Sequence, residues 1–193
     1  MTNRITFDPR RLNGHRFATA LALLAAAFGI SGTAQAQSTE ISPTEVALIE
    51  PLTITKLTDM DFGQLVVTTG GTVVLNPATS PTCTTTGGVV HIAECRPATF
   101  GGSGLTGERV RVRRPIGNII TLTGPGADMI VTDITIDGDP TLTHVQSNPN
   151  WERFLIGDPT GVFLFRVGGT LNVNPAQAPG VYTGTFEIRL DYQ

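Results

Sequence analysis

The last fourteen residues, Gly180-Val-Tyr-Thr-Gly-Thr-Phe-Glu-Ile-Arg-Leu-Asp-Tyr-Gln193, decide the fold class because apolar and polar side chains alternate along them. Apolar or small residues fall on one face, at Tyr182, Gly184, Phe186, Ile188, Leu190 and Tyr192. The opposite face carries Val181, Thr183, Thr185, Glu187, Arg189 and Asp191. Because a period of two is typical of a half-buried strand, the segment predicts one long strand that is tied into a sheet.

Short β-rich runs also recur upstream, separated by glycine, proline, asparagine and aspartate. Together they predict an all-β fold, an immunoglobulin-like antiparallel β-sandwich of two packed sheets. The predicted strands are Val46 to Thr55, Met60 to Val67, Thr72 to Leu75, Val89 to Ala93, Arg109 to Arg113, Ile119 to Thr123, Met129 to Ile136, Val162 to Val167, Thr170 to Val173 and Val181 to Tyr192. The glycine-rich stretch from Phe100 to Gly104 is predicted to be a mobile surface loop, because it lacks the Gly-Lys-Ser/Thr ending of a phosphate-binding loop.

The N-terminal residues have the organisation of a secretory signal peptide. Four arginines precede an apolar run of 14 residues, Phe17 to Ile30, and the run is followed by Ala34-Gln-Ala36. Since a permanent membrane-spanning helix needs about 20 apolar residues, we expect cleavage after Ala36 and export of the remainder. The predicted organisation is a signal peptide over residues 1–36, an N-terminal extension over residues 37–50 and a β-sandwich domain over residues 51–193.

Charge argues against a nucleic acid or a membrane as the partner of the exported chain. The whole chain has thirteen basic and sixteen acidic residues and a formal net charge of −3. Removal of residues 1–36 takes away four arginines and Asp8, which leaves a net charge of −6. Such an acidic chain is a poor nucleic-acid binder, and no later apolar run is long enough to predict membrane insertion.

Two cysteines, Cys83 and Cys95, lie in the part of the chain that is expected to be exported. Export to an oxidising compartment favours a disulfide between them. A cross-link of this loop length would stabilise a small domain by about 3 kcal/mol in the chain-entropy model. A redox or metal-binding pair is the alternative, but the spacing is not that of a Cys-x-x-Cys motif.

The sequence contains no pattern typical of an enzyme. The exported part has two histidines, His91 and His144, and no Gly-x-Ser-x-Gly motif. His91 lies between Val90 and Ile92 in a predicted strand, which favours a structural role, and His144 is expected to be exposed. We therefore predict no catalytic residue, no cofactor and no metal site.

Acidic residues cluster in Asp133-Ile-Thr-Ile-Asp137-Gly-Asp139. Oxygen-rich turns of this kind can bind calcium. Alternatively, Asp133 and Asp137 lie on a solvated strand face together with Val131 and Thr135, and the strand runs into an Asp-Gly turn. The sequence favours the solvated face and leaves calcium binding by the three aspartates open.

A stripe of arginines occurs in Glu108-Arg-Val-Arg-Val-Arg-Arg114, where three arginines fall on one strand face and two valines on the other. The arginines of this stripe are Arg109, Arg111 and Arg113. Cross-strand ion pairs with Asp133 and Asp137 would explain them. The alternative is that they bind an acidic polysaccharide or a negatively charged neighbouring subunit.

The C-terminal segment resembles the last strand of pilus subunits of the chaperone–usher type. Those subunits end in alternating apolar residues, with a penultimate tyrosine and a glycine fourteenth from the end, and Tyr192 and Gly180 occupy these places. The chain also resembles a group of small secreted bacterial proteins with a pilin-like domain, over roughly residues 46 to 193. The motifs that carry this second resemblance are Pro51-Leu-Thr-Ile-Thr, Asp61-Phe-Gly, Gly168-Gly-Thr-Leu-Asn-Val and Gly180-Val-Tyr-Thr-Gly-Thr-Phe.

The pilin resemblance implies a sandwich that lacks its final strand and is completed by a donated one. A periplasmic chaperone fills the vacant groove first, an outer-membrane usher directs assembly, and the N-terminal extension of a neighbouring subunit then replaces the chaperone. The residues expected at the assembly groove and edge strand are Gly180, Tyr182, Phe186, Ile188, Leu190 and Tyr192. The donor residues expected within Gln37 to Glu50 are Ile41, Thr44, Val46 and Leu48.

Two features depart from the pilin pattern. Pro43 interrupts the alternation in the extension, so residues 37–50 would alternatively form the first strand of the domain itself. Cys83 and Cys95 are also closer together than the cysteines of the best-known pilins.

The sequence therefore predicts a structural subunit of a bacterial surface fibre, exported through the periplasm to the cell surface and contributing to cell adhesion. Because one domain remains after export, a shaft or minor subunit is favoured over a tip adhesin, with a surface glycan as a further partner. The alternative is a monomeric secreted β-sandwich that binds a carbohydrate or a surface partner. Trp151 and the stretch from Arg109 to Arg114 would be its contact groups.

Overall fold

The structure is a computed structural model that describes Val46 and residues 50–193. The predicted signal peptide and three of the four donor residues, Ile41, Thr44 and Leu48, lie outside the described residues. Val46 is exposed and belongs to no strand, and residues 50–54 are likewise outside any strand. The predicted strand from Val46 to Thr55 is therefore wrong over its described residues except Thr55, which begins β1.

The described residues form an all-β fold of two antiparallel sheets. One 3₁₀ turn, Ile116–Asn118, interrupts the strands, and no helix in this part of the chain has the length and apolarity needed to cross a membrane. The strands are β1 (Thr55–Thr58), β2 (Leu65–Asn76), β3 (Thr82–His91), β4 (Ala98–Ser103), β5 (Arg109–Arg113), β6 (Ile120–Leu122), β7 (Met129–Asp137), β8 (Leu142–Asn148), β9 (Trp151–Ile156), β10 (Val162–Val173) and β11 (Arg189–Tyr192).

The long strand β10 organises the seven-stranded sheet. Its first half pairs with β4 and its second half with β2, while β7 pairs along the opposite edge. β1 extends the sheet beyond β4, β3 extends it beyond β2, and β6 extends it beyond β7. The second sheet has four strands in the order β11, β5, β9, β8.

Alternating side chains from both sheets meet in one apolar core. Val110 and Val112 of β5 are fully buried, as is Phe165 of β10, and Phe154 of β9 is almost fully buried. Phe165 stacks on Phe100 of β4 with the ring centroids 5.2 Å apart. This two-layer arrangement confirms the predicted all-β sandwich.

Several predicted strand boundaries are wrong, and each error has a local cause. Two pairs of short predicted strands are single strands, β2 and β10, because the glycines that separate them continue the ladder. β8 and β9 were not predicted because charged and polar residues occupy their outward face.

The glycine-rich stretch predicted as a mobile loop is strand β4. A Cβ on Gly102 would lie 2.2 Å from the Thr53 carbonyl oxygen and 2.6 Å from the Phe163 ring. Glycine is needed there because the neighbouring chain approaches closely, so the glycines indicate tight packing instead of mobility.

A β-bulge at Asp133 corrects the predicted faces of β7. Asp133 has a φ of 48°, and the register with β10 shifts at this point. Val131 is buried before the bulge, whereas Ile134 and Ile136 are buried after it. Asp133 and Asp137 therefore do not share a regular strand face with Val131, because the extra residue reverses the alternation.

Candidate functional site

The C-terminal segment is only partly a strand. It was predicted as one strand from Val181 to Tyr192, but only β11 is regular, and it pairs with β5. Further upstream, Thr183 forms an isolated bridge with Thr123 through two backbone hydrogen bonds of 2.8 and 2.9 Å. Residues 184–188 between these two points belong to no strand.

The burial of this segment nevertheless alternates as its sequence does. Its exposed positions include Val181, which is 80% exposed. Its inward side chains are half-buried and pack against the core at Tyr182, Phe186, Ile188, Leu190 and Tyr192. The segment thus keeps an extended, one-sided contact with the core although the ladder to the sheet is broken.

An open groove of about 800 Å³ lies beside this segment. One wall is formed by residues 177–186, and the other by Lys56, residues 59–65 and Val67. The floor consists of apolar core side chains, Ala98, Phe100, Ile120, Leu122, Met129, Val131, Leu171 and Val173. Because protein cores leave few voids larger than a water molecule, the open groove is a gap in the packing over the apolar face of the seven-stranded sheet.

The predicted assembly residues divide into two groups at this groove. Gly180, Tyr182 and Phe186 line it, and Phe186 also packs edge-on against Phe100 with the centroids 6.3 Å apart. Ile188, Leu190 and Tyr192 do not line the groove and instead pack against the core further along the chain.

Each wall of the open groove continues into a strand that is paired on one side only among the described residues, although Lys56 of β1 lines the groove and no residue of β11 does. On one side β1 is the outermost strand and pairs with β4 alone. On the other side β11 is the outermost strand of its sheet, and residues 184–188 continue from it outside any strand. An extended segment placed between them would find backbone hydrogen-bond partners as well as apolar contacts.

Two tyrosines hold the C-terminal segment in place. The Tyr182 hydroxyl donates to the Ala178 carbonyl at 2.9 Å and accepts from the Gly126 amide at 3.0 Å. The Tyr192 hydroxyl accepts from the Leu105 amide at 2.8 Å and donates to the Glu50 carbonyl at 3.1 Å. These contacts fix the wall of the open groove and could not be predicted from the sequence, because their partners are distant in the chain.

Gly180 has a structural requirement of its own. Its φ is +149°, and a Cβ at this position would lie 2.5 Å from the Pro125 ring. Any larger residue would therefore move the start of the segment away from its neighbour.

A comparison with models of protein families identifies the family of the chain. The model described as a domain of unknown function, DUF4402, matches residues 52–192. The chain belongs to this family. The matched range includes both walls of the open groove and the final strand, whereas no curated protein and no solved structure matches the chain.

In this DUF4402 domain the predicted disulfide joins Cys83 of β3 to Cys95, with the Cα atoms 6.3 Å apart. His91 lies beside the disulfide, and its Nε2 donates to the Phe62 carbonyl at 3.0 Å. Among the described residues, Cys83, His91 and Cys95 are the one group of three potential metal ligands whose ligand atoms all lie within 4.8 Å of one another. Both sulfur atoms are in the disulfide, which cross-links β3 to the segment before β4, while the His91 hydrogen bond connects β3 to Phe62 in the wall of the open groove.

The sequence left calcium binding by Asp133, Asp137 and Asp139 open. In the DUF4402 domain these three residues do not converge on one point. Asp137 Oδ2 accepts from Arg166 Nη1 at 3.0 Å, and Asp133 Oδ2 accepts from the Thr132 hydroxyl at 3.0 Å. Their carboxylates therefore already serve separate intramolecular contacts.

The arginine stripe pairs with a different carboxylate from the two predicted ones. Asp191 accepts from Arg113 Nε at 2.8 Å and from Arg111 Nη2 at 3.2 Å, so the predicted partners Asp133 and Asp137 are wrong. The hydrogen bond from Arg113 is the main cause that holds the pKa of the Asp191 carboxyl below its ordinary value, with Arg111 adding to it. The pair joins β11 to β5 on the outer face of the four-stranded sheet.

A polar network under the same sheet was not found in the sequence. The Glu152 side chain is buried and bonds Arg114 through one oxygen, while the other accepts from Ser147 at 2.9 Å and contacts His144 Nε2 at 2.8 Å. Serine, histidine and glutamate resemble a hydrolase triad in composition. However, Ser147 and Glu152 both contact Nε2, whereas a proton relay needs them on opposite ring nitrogens. The network is therefore suited to anchoring β8 and β9.

Proposed function

We propose that this protein is a structural subunit of a bacterial surface fibre whose open groove accepts a strand from a neighbouring subunit, and that the fibre contributes to cell adhesion. One observation carries the proposal: the groove lies over the apolar core between Lys56 of the edge strand β1 and residues 180–186, which lead into the edge strand β11. A donated strand would fill the groove above its apolar floor and pair with β1 and with the C-terminal segment, so that apolar contacts and backbone hydrogen bonds would both stabilise it.

The candidate donor is the N-terminal extension, residues 37–50. Fourteen residues in an extended conformation span about 46 Å. The ten-residue wall from 177 to 186 is shorter than the about 33 Å of an extended chain, because it bends at Pro179 and Gly180. Thr44, Val46 and Leu48 fall on one face of a regular strand. Ile41 falls on the other face unless Pro43 changes the alternation.

The position of Glu50 favours donation to a neighbour over filling of the same subunit's groove. The Glu50 carbonyl is bonded to Tyr192, whereas the groove wall ends at Phe186, about 20 Å away along an extended chain. A segment that begins at Glu50 would have to reverse its direction to reach the groove of its own subunit. Reaching an adjacent subunit requires no such reversal.

Export and partners follow from the same proposal. Before assembly, the open groove would remain unfilled and the edge strands β1 and β11 would stay unpaired on one side, and unpaired strand edges favour aggregation. A periplasmic chaperone that lends a strand would prevent this, and an outer-membrane usher would exchange it for the next subunit at the cell surface.

Deletion of residues 37–50 tests the proposal. The full chain and the deletion variant would be exported in a bacterial host and compared by sedimentation and electron microscopy. We expect fibres or linear oligomers from the full chain and none from the deletion variant, because the variant retains a groove but has no strand to donate. Ser38→Asp is the matched control, since it changes the extension at a position outside the donor set and should leave assembly intact.

The proposal would be wrong if the deletion variant polymerised as well as the full chain. It would also be wrong if the full chain were a stable monomer under all conditions, which would favour the alternative of a secreted binding module.

A further inference from the structure

The outer face of the four-stranded sheet concentrates positive charge. Directly paired residues share a face in an antiparallel sheet, and Arg111 lies opposite both Arg153 and Asp191, while Arg113 lies opposite Arg189. With Arg109 on the same side of β5, the face has five of the nine basic residues in the described chain. We call it the arginine face, and its basic members are Arg109, Arg111, Arg113, Arg153 and Arg189.

This concentration contrasts with the rest of the domain. Two acidic residues, Glu187 and Asp191, accompany the five arginines. The remaining described residues comprise four basic and eleven acidic side chains. A basic face on an acidic protein produces a local positive potential that selects negatively charged partners, although the net charge of the chain is negative.

Neighbouring side chains hold the Arg153 guanidinium in place on the arginine face. Arg153 donates to Gln146 Oε1 at 2.9 Å and to Gln193 Oε1 at 3.3 Å, and its Cζ lies 5.0 Å from the centre of the Trp151 ring. Alternate residues along a strand are about 6.7 Å apart and neighbouring strands about 4.8 Å apart. The arginines therefore form a two-dimensional grid that a polymer with regularly repeated charges can follow.

We propose that the arginine face binds an acidic polysaccharide, with carboxylates of the sugar residues on the guanidinium groups and hydroxyl groups on the amides of Gln146 and Gln193. Arginine is suited to this because its planar fork of donors matches a carboxylate. Exposure allows the contact, since Arg113 and Arg189 side chains are 45% and 66% exposed.

The composition of the face favours a polysaccharide over an acidic protein. Stable protein interfaces have an apolar centre surrounded by a polar rim. The centre of the arginine face is occupied by the directly paired Arg111 and Arg153, whereas the apolar members of the face, Leu155 and Trp151, are half-buried and lie to either side of this centre. The Trp151 ring is also covered by Arg153, which leaves it unsuited to stacking on nucleic-acid bases.

The inference is independent of fibre assembly, because the arginine face and the open groove lie on different surfaces of the C-terminal segment. In a fibre, repetition of the face along the polymer would raise the avidity for a long polysaccharide. A monomer would bind the same ligand with the affinity of one face.

The test measures binding of the exported full chain to immobilised polygalacturonate, with neutral dextran and poly-L-glutamate as comparison surfaces. We expect binding to polygalacturonate alone, and its loss at about 1 M salt, where exposed charges are screened beyond about 3 Å. The double variant Arg109→Gln, Arg113→Gln should bind about tenfold more weakly, because two charge-assisted contacts are lost.

The matched control is Lys56→Gln, Arg96→Gln, which removes two positive charges outside the arginine face and should bind polygalacturonate as the unchanged chain does. Circular dichroism melting would establish that all variants are folded. The inference is overturned if polygalacturonate is not bound, if poly-L-glutamate is bound equally well, or if both double variants weaken binding equally. Phe186→Asp changes the open groove and should retain polysaccharide binding. A loss of fibre assembly can therefore be distinguished from a loss of polysaccharide binding.

Discussion

A chain carrying Phe186→Asp is expected to form no fibres. Phe186 lines the open groove and contacts Phe100 on its floor, so a donated strand would cover position 186 and bury an unpaired carboxylate. Burying an isolated charge costs several kcal/mol or more, which would offset the burial of about two or three apolar side chains of an inserted strand. Sedimentation velocity and electron microscopy of the exported protein would measure the loss of polymer.

Two further variants make this result specific. Thr84→Asp introduces the same charge at an exposed position of β3 that does not line the open groove, and should assemble normally. Met60→Asp introduces it on the opposite wall and should prevent assembly as Phe186→Asp does. Normal fibres from both wall variants would show that the open groove does not accept a strand.

The second large effect is expected at Arg114. Its side chain is 9% exposed, and its guanidinium reaches the Ile134 carbonyl in one sheet and Glu152 and the Asn148 carbonyl in the other. Arg114→Met would leave the Glu152 carboxylate buried without its cation, which typically lowers the free energy of unfolding by about 3–5 kcal/mol. Urea denaturation of the monomeric protein measures this change.

Matched variants separate the ion pair from general packing. The double variant Arg114→Met, Glu152→Gln removes both charges and should recover much of the lost stability, because no unpaired charge remains. Arg189→Met breaks an exposed pair with Glu187 and should change stability little. A single Arg114→Met variant as stable as the unchanged chain would contradict a structural role for the buried pair.

Much of the fold is predictable from the sequence, because local patterns specify strand faces. Val110 and Val112 alternate with arginines, and the valines are fully buried as that alternation predicts. The disulfide between Cys83 and Cys95 is also predictable from export and cysteine number. These features depend on residues that are near each other in the chain or on the chemistry of a compartment.

The features that could not be predicted depend on contacts between distant residues. The glycines of β4 indicate a loop in isolation, and only the approach of Phe163 and Thr53 explains them. The bulge at Asp133 reverses the faces of β7, and no glycine in that strand indicates the bulge in the sequence. The buried network around Glu152 brings together residues from four separate segments.

The candidate site shows the same division. The inward face of the C-terminal segment could be predicted from its period of two, and its inward side chains do pack against the core. The break in the strand over residues 184–188 could not, because the alternation continues through it unchanged. In the described part of the chain no strand pairs with residues 184–188. Whether a partner strand lies beside a segment is decided by the arrangement of the whole sandwich and not by the segment's own sequence.

One measurement tests the central claim most directly: the mass and melting temperature of the exported chain, with and without a synthetic peptide covering Gln37 to Glu50. A peptide with Val46→Asp and Leu48→Asp serves as the control. The account predicts a chain that oligomerises or melts at a low temperature, and a melting temperature raised by about 5–10 °C when the peptide is 100-fold above its Kd. A stable monomer with the same melting temperature in the presence of either peptide would contradict it.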